Sequence, residues 1–221
     1  MRLSHSSSIA ALLMAFIWGG CSRSSQNHSS QPSPQTASHQ QSSSSAASQK
    51  TATGQYPFTA ADVHFMSGMI GHHAQALVMA GWAPSHGASP AIRTLCERII
   101  NGQQDEIATM QRWLKDRGLP VPDATPMKMD MGSMNHELMP GMLTDEQMKD
   151  LDQARGPEFD RKFLTYMIQH HRGAITMVQQ LFATKGAAQD EATFKMANDI
   201  SADQTTEVDR MQRMLDSLPP A

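Results

Sequence analysis

Two cysteines in 221 residues, Cys21 and Cys96, leave this chain little scope for covalent crosslinks, so its stability must come from packing. Aromatic residues are scarce too, with 3 Trp, 2 Tyr and 7 Phe. Clusters of Lys and Arg are missing, and with a formal net charge of -3 and a pI of about 6.3 this argues against a polyanion-binding surface and against nucleic acid as a partner. No segment shows the period-two, β-branched pattern of a strand. No apolar run is long enough to span a bilayer as a stable helix. What the chain has in excess is methionine, 18 residues of it, although Met specifies a core less well than Leu or Phe. That surplus sulfur calls for a chemical explanation.

The N-terminus carries Arg2, an apolar run from Ile9 to Trp18, and then Gly19-Gly20-Cys21, which reads as an export signal over residues 1–21. Small residues directly before Cys21 resemble a lipoprotein cleavage site, so Cys21 is the expected point of acylation. The expected location is the periplasm or cell envelope, with the membrane reached through that lipid. Residues 22–57 are rich in Ser and Gln with few large apolar residues, and read as a disordered tether. His28 and His39 within it read as incidental. The remaining segment, 58–217, is long enough for one compact domain.

That domain contains a repeat. Asp62, Phe65, Met69, Ile70, His72, His73, Ala76 and Met79 recur without gaps as Asp160, Phe163, Met167, Ile168, His170, His171, Ala174 and Met177. A second pair follows, Glu106-Ile-Ala-Thr-Met110-Gln-Arg against Glu207-Val-Asp-Arg-Met211-Gln-Arg. The chain is therefore two copies of a helix pair. Thr59 with Asp62 forms a capping-box pattern, Ser89-Pro90 opens the second helix, and Gly81 and Pro84 end the first. The second helix ends near Gly118 and Pro120. Thr144 and Gln147 open a short helix, Gly156-Pro157 begins the third long one, Gly186 ends it, and the fourth runs from about Gln189 to Leu215. The expected fold is all-α, an antiparallel four-helix bundle built from two repeated helix pairs.

On the first helix Phe65, Met69, His72, Ala76 and Met79 share a stripe, and Met66, Ile70, His73 and Leu77 form its neighbour, with Ser67, Gly71 and Gln75 expected on the polar side. Both histidines thus lie on the apolar side, roughly 100° apart around the axis. The third helix repeats this with His170 and His171. A pseudo-twofold axis would bring four imidazoles and several thioethers together inside the bundle. Satisfied core histidines are the bland reading. Four of them in matched register, each pair with Met three before and seven after its leading His, favour a metal site.

Thioether sulfur is soft and uncharged, which fits Cu(I) and not Mg²⁺, Ca²⁺ or Zn²⁺, and Ag(I) would be a chemical mimic. The ligand candidates are His72, His73, His170, His171, Met69, Met79, Met167 and Met177. Between the repeats, in a linker over residues 120–143, lie Met127, Met129, Met131, Met134, His136, Met139 and Met142 without regular periodicity. The first five read as a capture segment for soft cations, with a mere apolar cover as the alternative. Glu106 and Glu207 stand four residues before Met110 and Met211; each either orients an imidazole from behind or forms an exposed ion pair with Arg. Asp62 and Asp160 read as capping residues, Cys96 as a buried structural thiol, and His64 and His86 as solvated. No catalytic centre is evident.

The phrases Phe65-Met66-x-x-Met69-Ile70-x-His72-His73-x-x-Ala76 and Gly156-x-x-Phe159-Asp160-x-x-Phe163-x-x-x-Met167-Ile168-x-His170-His171-x-Gly173-Ala174-Ile175 closely resemble the bacterial family called domain of unknown function 305. That resemblance, over about Phe58 to Leu215, implies a ferritin-like fold and, from periplasmic members, copper binding tied to copper resistance. It implies a site lined by the four histidines with Met69, Met79, Met167 and Met177. The function expected is extracytoplasmic copper sequestration, trafficking or resistance. A delivery partner and a second copy of the chain are further partners that the sequence does not specify. Two other readings compete: a dimetal iron or manganese oxidase or catalase-type enzyme, and a metal-free interaction bundle. The former needs Glu-x-x-His pairs, yet residues 69 and 167 are Met.

Overall fold

A computed structural model describes residues 57–124 and 138–220. The export signal with Cys21, the tether up to residue 56, and Met127, Met129, Met131, Met134 and His136 lie outside the described residues. Five helices follow one another: α1 (Ala60–Gly81), α2 (Pro90–Asp116), α3 (Asp145–Gln153), α4 (Pro157–Ala183) and α5 (Glu191–Asp216). Among the described residues there is no strand, and no helix is long and apolar enough to cross a membrane.

The helix boundaries have local causes. Thr59 and Asp62 close a reciprocal capping box on α1, and Thr144 and Gln147 do the same on α3. Ser89 accepts from the Ile92 N–H and is followed by Pro90 in the first turn of α2. Asp190 caps α5 through the Thr193 N–H, and its carboxylate also accepts from Trp113 Nε1 at 2.8 Å and Arg117 Nη2 at 2.9 Å. One side chain thus starts α5 and ties it to the end of α2.

α2 packs along α1 and α5 along α4, while α1 and α4 pack against each other between them. Two repeat-related hydrogen bonds show that the central pair is antiparallel. Asp62, at the start of α1, accepts from Ala188 N beyond the end of α4 at 2.6 Å; Asp160, at the start of α4, accepts from Ser89 N beyond the end of α1 at 3.1 Å. Ala188 has φ of 54°, a left-handed conformation that costs a side-chain-bearing residue on the order of 1–2 kcal/mol, and the buried bond to Asp62 helps offset it. Asp62 both caps α1 and tethers the chain beyond α4, whereas Asp160 makes no cap on α4, whose N-cap Gly156 has no side-chain bond, and acts as a tether to Ser89.

The apolar core falls into two clusters. One joins Ala76 and Met79 of α1 to Phe159, Phe163, Leu164 and Met167 of α4, with Leu95 and Ile99 of α2. The other joins Phe65, Met66, Met69 and Ile70 to Ala174, Met177 and Leu181, with Met110 and Ile200. Residues 72, 73, 170 and 171 occupy the waist between them. Each fully buried Phe or Leu contributes about 1.5–3 kcal/mol, so the core can carry a polar layer at its centre.

Two sequence expectations need correction. The polar side of α1 is only partly solvated, because Gly71 and Gln75 are buried, Gln75 against Leu143. His86 is not solvated: it is 4% exposed, stacks on Trp82 with ring centroids 5.7 Å apart, and its Nε2 donates to Asp152 O at 2.9 Å, which anchors the α1–α2 loop to α3. His64 is exposed as expected, and Cys96 is buried, with burial pushing its thiol up to about 12.

Candidate metal centre

The spacing of the apolar stripes turns His72 and His73 of α1, and His170 and His171 of α4, into one layer at the waist, each with 0% exposure. The His72 and His170 rings face each other with centroids 3.9 Å apart and an interplanar angle of 41°. His73 and His171 stand outward of them, at 6.3 Å and 6.2 Å from their neighbours.

Each imidazole uses the same nitrogen for its hydrogen bond. His73 Nε2 meets Glu106 Oε2 at 2.7 Å, and His171 Nε2 meets Glu207 Oε2 at 2.6 Å. His72 Nε2 meets Pro140 O at 3.0 Å, and His170 Nε2 meets His72 O at 3.1 Å. Carbonyls and carboxylates only accept, so all four Nε2 atoms carry the proton. The other nitrogen, Nδ1, is buried in all four and has no hydrogen-bond partner among the described residues. Burial, followed by the neighbouring imidazoles, holds His72 down at about 3 and His170 well below the usual histidine range. Both rings are therefore neutral at pH 7, with their Nδ1 lone pairs unused. Buried acceptors left without donors are costly, and a Lewis-acidic cation would satisfy them.

Glu106 and Glu207 thus behave as orienting groups behind an imidazole, and the alternative of exposed ion pairs with Arg is not what the fold adopts. A carboxylate on the far nitrogen fixes the tautomer and raises ligand basicity.

The methionines divide. Met69 and Met167, one turn before the leading histidines, are fully buried at the edges of the layer, one in each cluster. Met79 and Met177 are buried as well, but seven residues at 1.5 Å each set them about 10 Å along their own helices from the histidines. The four histidines converge about the pseudo-twofold axis. Among the described residues, no three His, Cys, Asp or Glu side chains are grouped closely enough to hold an ion by themselves. A soft ion content with few ligands, drawn from Nδ1 atoms and a thioether, suits this donor set better than a hard ion needing many oxygens.

The end of the Met-rich linker closes the layer from one side. Gln75 holds Leu143 by a reciprocal pair, Nε2 to Leu143 O at 3.1 Å and Leu143 N to Oε1 at 2.8 Å. Pro140 and Gly141 lie directly on α4 at Gly173, where an added Cβ would stand 1.9 Å from Pro140 O. Gln75, Pro140 and Gly173 were not recognisable as site residues from the sequence. A signal did exist, since Gln75 and Gly173 occupy the same repeat position with very different side chains. Met139 follows the segment down, its Sδ 3.2 Å from where a Cβ on Gly68 would lie.

The model of the family described as "Domain of unknown function (DUF305)" matches residues 62–215. The chain belongs to the DUF305 family. Solved structures agree. A DUF305 fragment from Deinococcus radiodurans is 27% identical with a TM-score of 0.62, covering 73% of this chain and 99% of that one. A DUF305 protein from Streptomyces coelicolor, a candidate secreted protein, is 29% identical with a TM-score of 0.59, covering 71% and 92%. CopM in its Cu(I)-bound form is 27% identical with a TM-score of 0.54, covering 70% and 95%. CopM structures in Cu(II)-bound and Ag-bound forms match similarly. An uncharacterized mimivirus protein is 38% identical over 58 residues, and the match spans 38% of its length. The DUF305 histidine repeat is therefore set in a helical bundle shared with a protein solved with copper and silver bound.

Proposed function

We propose that this DUF305 protein binds copper as Cu(I) in the histidine layer and serves to sequester or ferry it outside the cytoplasm, including in copper resistance, without catalysing a reaction. The observation that carries the reading is the set of four repeat-related, buried Nδ1 atoms with no partner among the described residues. Met69 and Met167 are the nearest thioethers by register, Glu106 and Glu207 hold the outer imidazoles, and the likeness to CopM with Cu(I), Cu(II) and Ag bound adds support. Met127, Met129, Met131, Met134 and His136 belong to the same proposal as an auxiliary capture segment. Export with lipid attachment at Cys21 completes it, supported by the N-terminal signal pattern.

In competition with a chromophoric Cu(I) chelator, the His72→Ala/His170→Ala double variant is expected to lose at least tenfold in affinity, about 1.4 kcal/mol. Unchanged affinity would remove the bundle site and leave only the linker. The duplicated Glu–His pairs also favour a second reading, a dimetal enzyme. Stoichiometric iron or manganese in protein isolated from copper-fed cells would support it over copper.

A further inference from the structure

A cleft of about 120 Å³ lies where α1, α4 and the end of the inter-repeat linker meet, lined among others by His64, Met139, Pro140 and Met177. None of its lining residues is Asp, Glu, Lys or Arg. The nitrogen and sulfur donors it offers are one imidazole and two thioethers. Met139 and Met177 converge over Gly68, because a Cβ built there would stand 3.2 Å from Met139 Sδ and 3.6 Å from Met177 Cε. The two thioether ends therefore share one space. Met177 is 7% exposed and belongs to the apolar cluster against which Met139 packs, so the sulfurs form the inner wall. His64, one turn before Gly68 on α1, is exposed at the mouth.

The second repeat builds the matching place differently. In the register that pairs Asp62 with Asp160, His64 corresponds to Lys162 and Gly68 to Tyr166. There Lys162 Nζ and Tyr166 Oη each donate to Asp150 of α3 at 2.8 Å, and the position is occupied by that contact. The first repeat has Gly for Tyr, which makes room for a thioether, and His for Lys, which replaces a cation with a metal-ligating ring. Bundle packing alone requires neither exchange.

We propose that His64, Met139 and Met177 form a second soft-metal site, for Cu(I) or its mimic Ag(I), which receives the ion outside the histidine layer. Soft monovalent ions are held by imidazole and thioether, whereas a lining without carboxylate suits neither Mg²⁺ nor Ca²⁺. Met has three rotatable bonds with which to close on an ion. Pro140 gives the site its place in the molecule: it lines the cleft, and its carbonyl also accepts from His72 Nε2 at 3.0 Å. An ion in the cleft is therefore one residue away from the layer. The proposal rests on the copper reading for the identity of the ion alone; it takes none of the layer's imidazoles and assigns Met177 to the cleft.

The test is a titration of the full chain with Ag(I), followed by NMR of carbon-13-labelled methionine methyl groups, with Met139→Leu and Met177→Leu assigning the two resonances. Reading residue by residue separates the cleft from Met127, Met129, Met131 and Met134. The Met139 and Met177 resonances are expected to move together, in the parent chain and equally in the His72→Ala/His170→Ala variant. Met139→Leu, a swap that conserves volume, should abolish the movement of Met177. His64→Lys, which copies the second repeat at an exposed position, should raise the Ag(I) concentration needed for both shifts about tenfold. The proposal is overturned by resonances that stay still, by shifts indifferent to His64→Lys, or by a Met139 that moves without Met177, which would leave the linker alone. It is overturned equally by a Met177 shift that vanishes in His72→Ala/His170→Ala, which would place that thioether in the layer. Failure of the copper reading shows separately, as unchanged Cu(I) affinity in the same double variant.

Discussion

In the first repeat His73 rests on Glu106 and in the second His171 rests on Glu207, at nearly the same distance, whereas the leading histidines of the same helices have unlike partners. His72 donates to Pro140 in the inter-repeat linker, and His170 donates to the backbone of His72. The difference teaches where duplication stops. Each Glu–His pair is built inside one helix pair, so copying the pair copied the contact. The leading histidines meet across the repeat boundary, where the linker passes only once and cannot serve both copies. The second repeat responds with Gly173 in place of Gln75, which removes the side chain that would block Pro140 and Gly141.

The largest expected effect of a single substitution breaks this asymmetry directly. Gly173→Ala puts a methyl group where Pro140 O now lies, and backbone on both sides leaves no flexible atom to yield. Lifting residues 139–143 uncovers Met142 and Leu143 and removes the bonds to Gln75 and His72. We expect a loss on the order of 3 kcal/mol, only partly offset by the better helix propensity of Ala. Urea denaturation of the parent and variant chains would measure it; an unchanged midpoint would show that the linker is not closed over the layer.

Next is the response to acid, which sharpens the character of the leading pair. His72 and His170 are held neutral in the folded protein, with His72 at about 3, while the unfolded chain takes up protons near the ordinary value of 6.5. Because the unfolded state binds more protons below that value, stability of the metal-free protein is full above about pH 6.5 and falls as pH drops toward 3. The slope is about 1.4 kcal/mol per pH unit for each histidine. Replacing both residues by Phe should flatten that dependence in thermal melts recorded across this range, and an equally steep curve would place the acid sensitivity elsewhere.

The smallest effects test the symmetric half. Glu106→Gln and Glu207→Gln preserve an acceptor for Nε2 but remove its charge, and each should weaken Cu(I) binding by about 10–100-fold. The geometry predicts equal losses for the two variants in the chelator competition. Losses differing by more than tenfold would mean that the outer pairs are equivalent in form but not in use.

Much of this was legible before any tertiary contact was known. The apolar stripes, the capping boxes at Thr59 and Thr144 and the Ser89-Pro90 start are local signals, and they lie where the helices begin. Burial was harder to read. Gln75 is a polar residue opposite the histidine stripes, and nothing in its neighbourhood reports that Leu143, 68 residues away, satisfies both ends of its amide. His86 misled in the same way, since a loop position between two helices carries no sign of Asp152 or the stacked Trp82.

The duplicated His-His phrase was settled by the sequence alone, because a repeat with identical spacing imposes the same helical face twice, whatever the surroundings. Its membership in a two-pair bundle followed from the same periodicity. Only the tertiary structure decided which nitrogen of each imidazole is spent and which is left free. That choice depends on acceptors from distant parts of the chain, two carboxylates, a linker carbonyl and a helix carbonyl, and on burial that leaves all four Nδ1 atoms without a partner among the described residues.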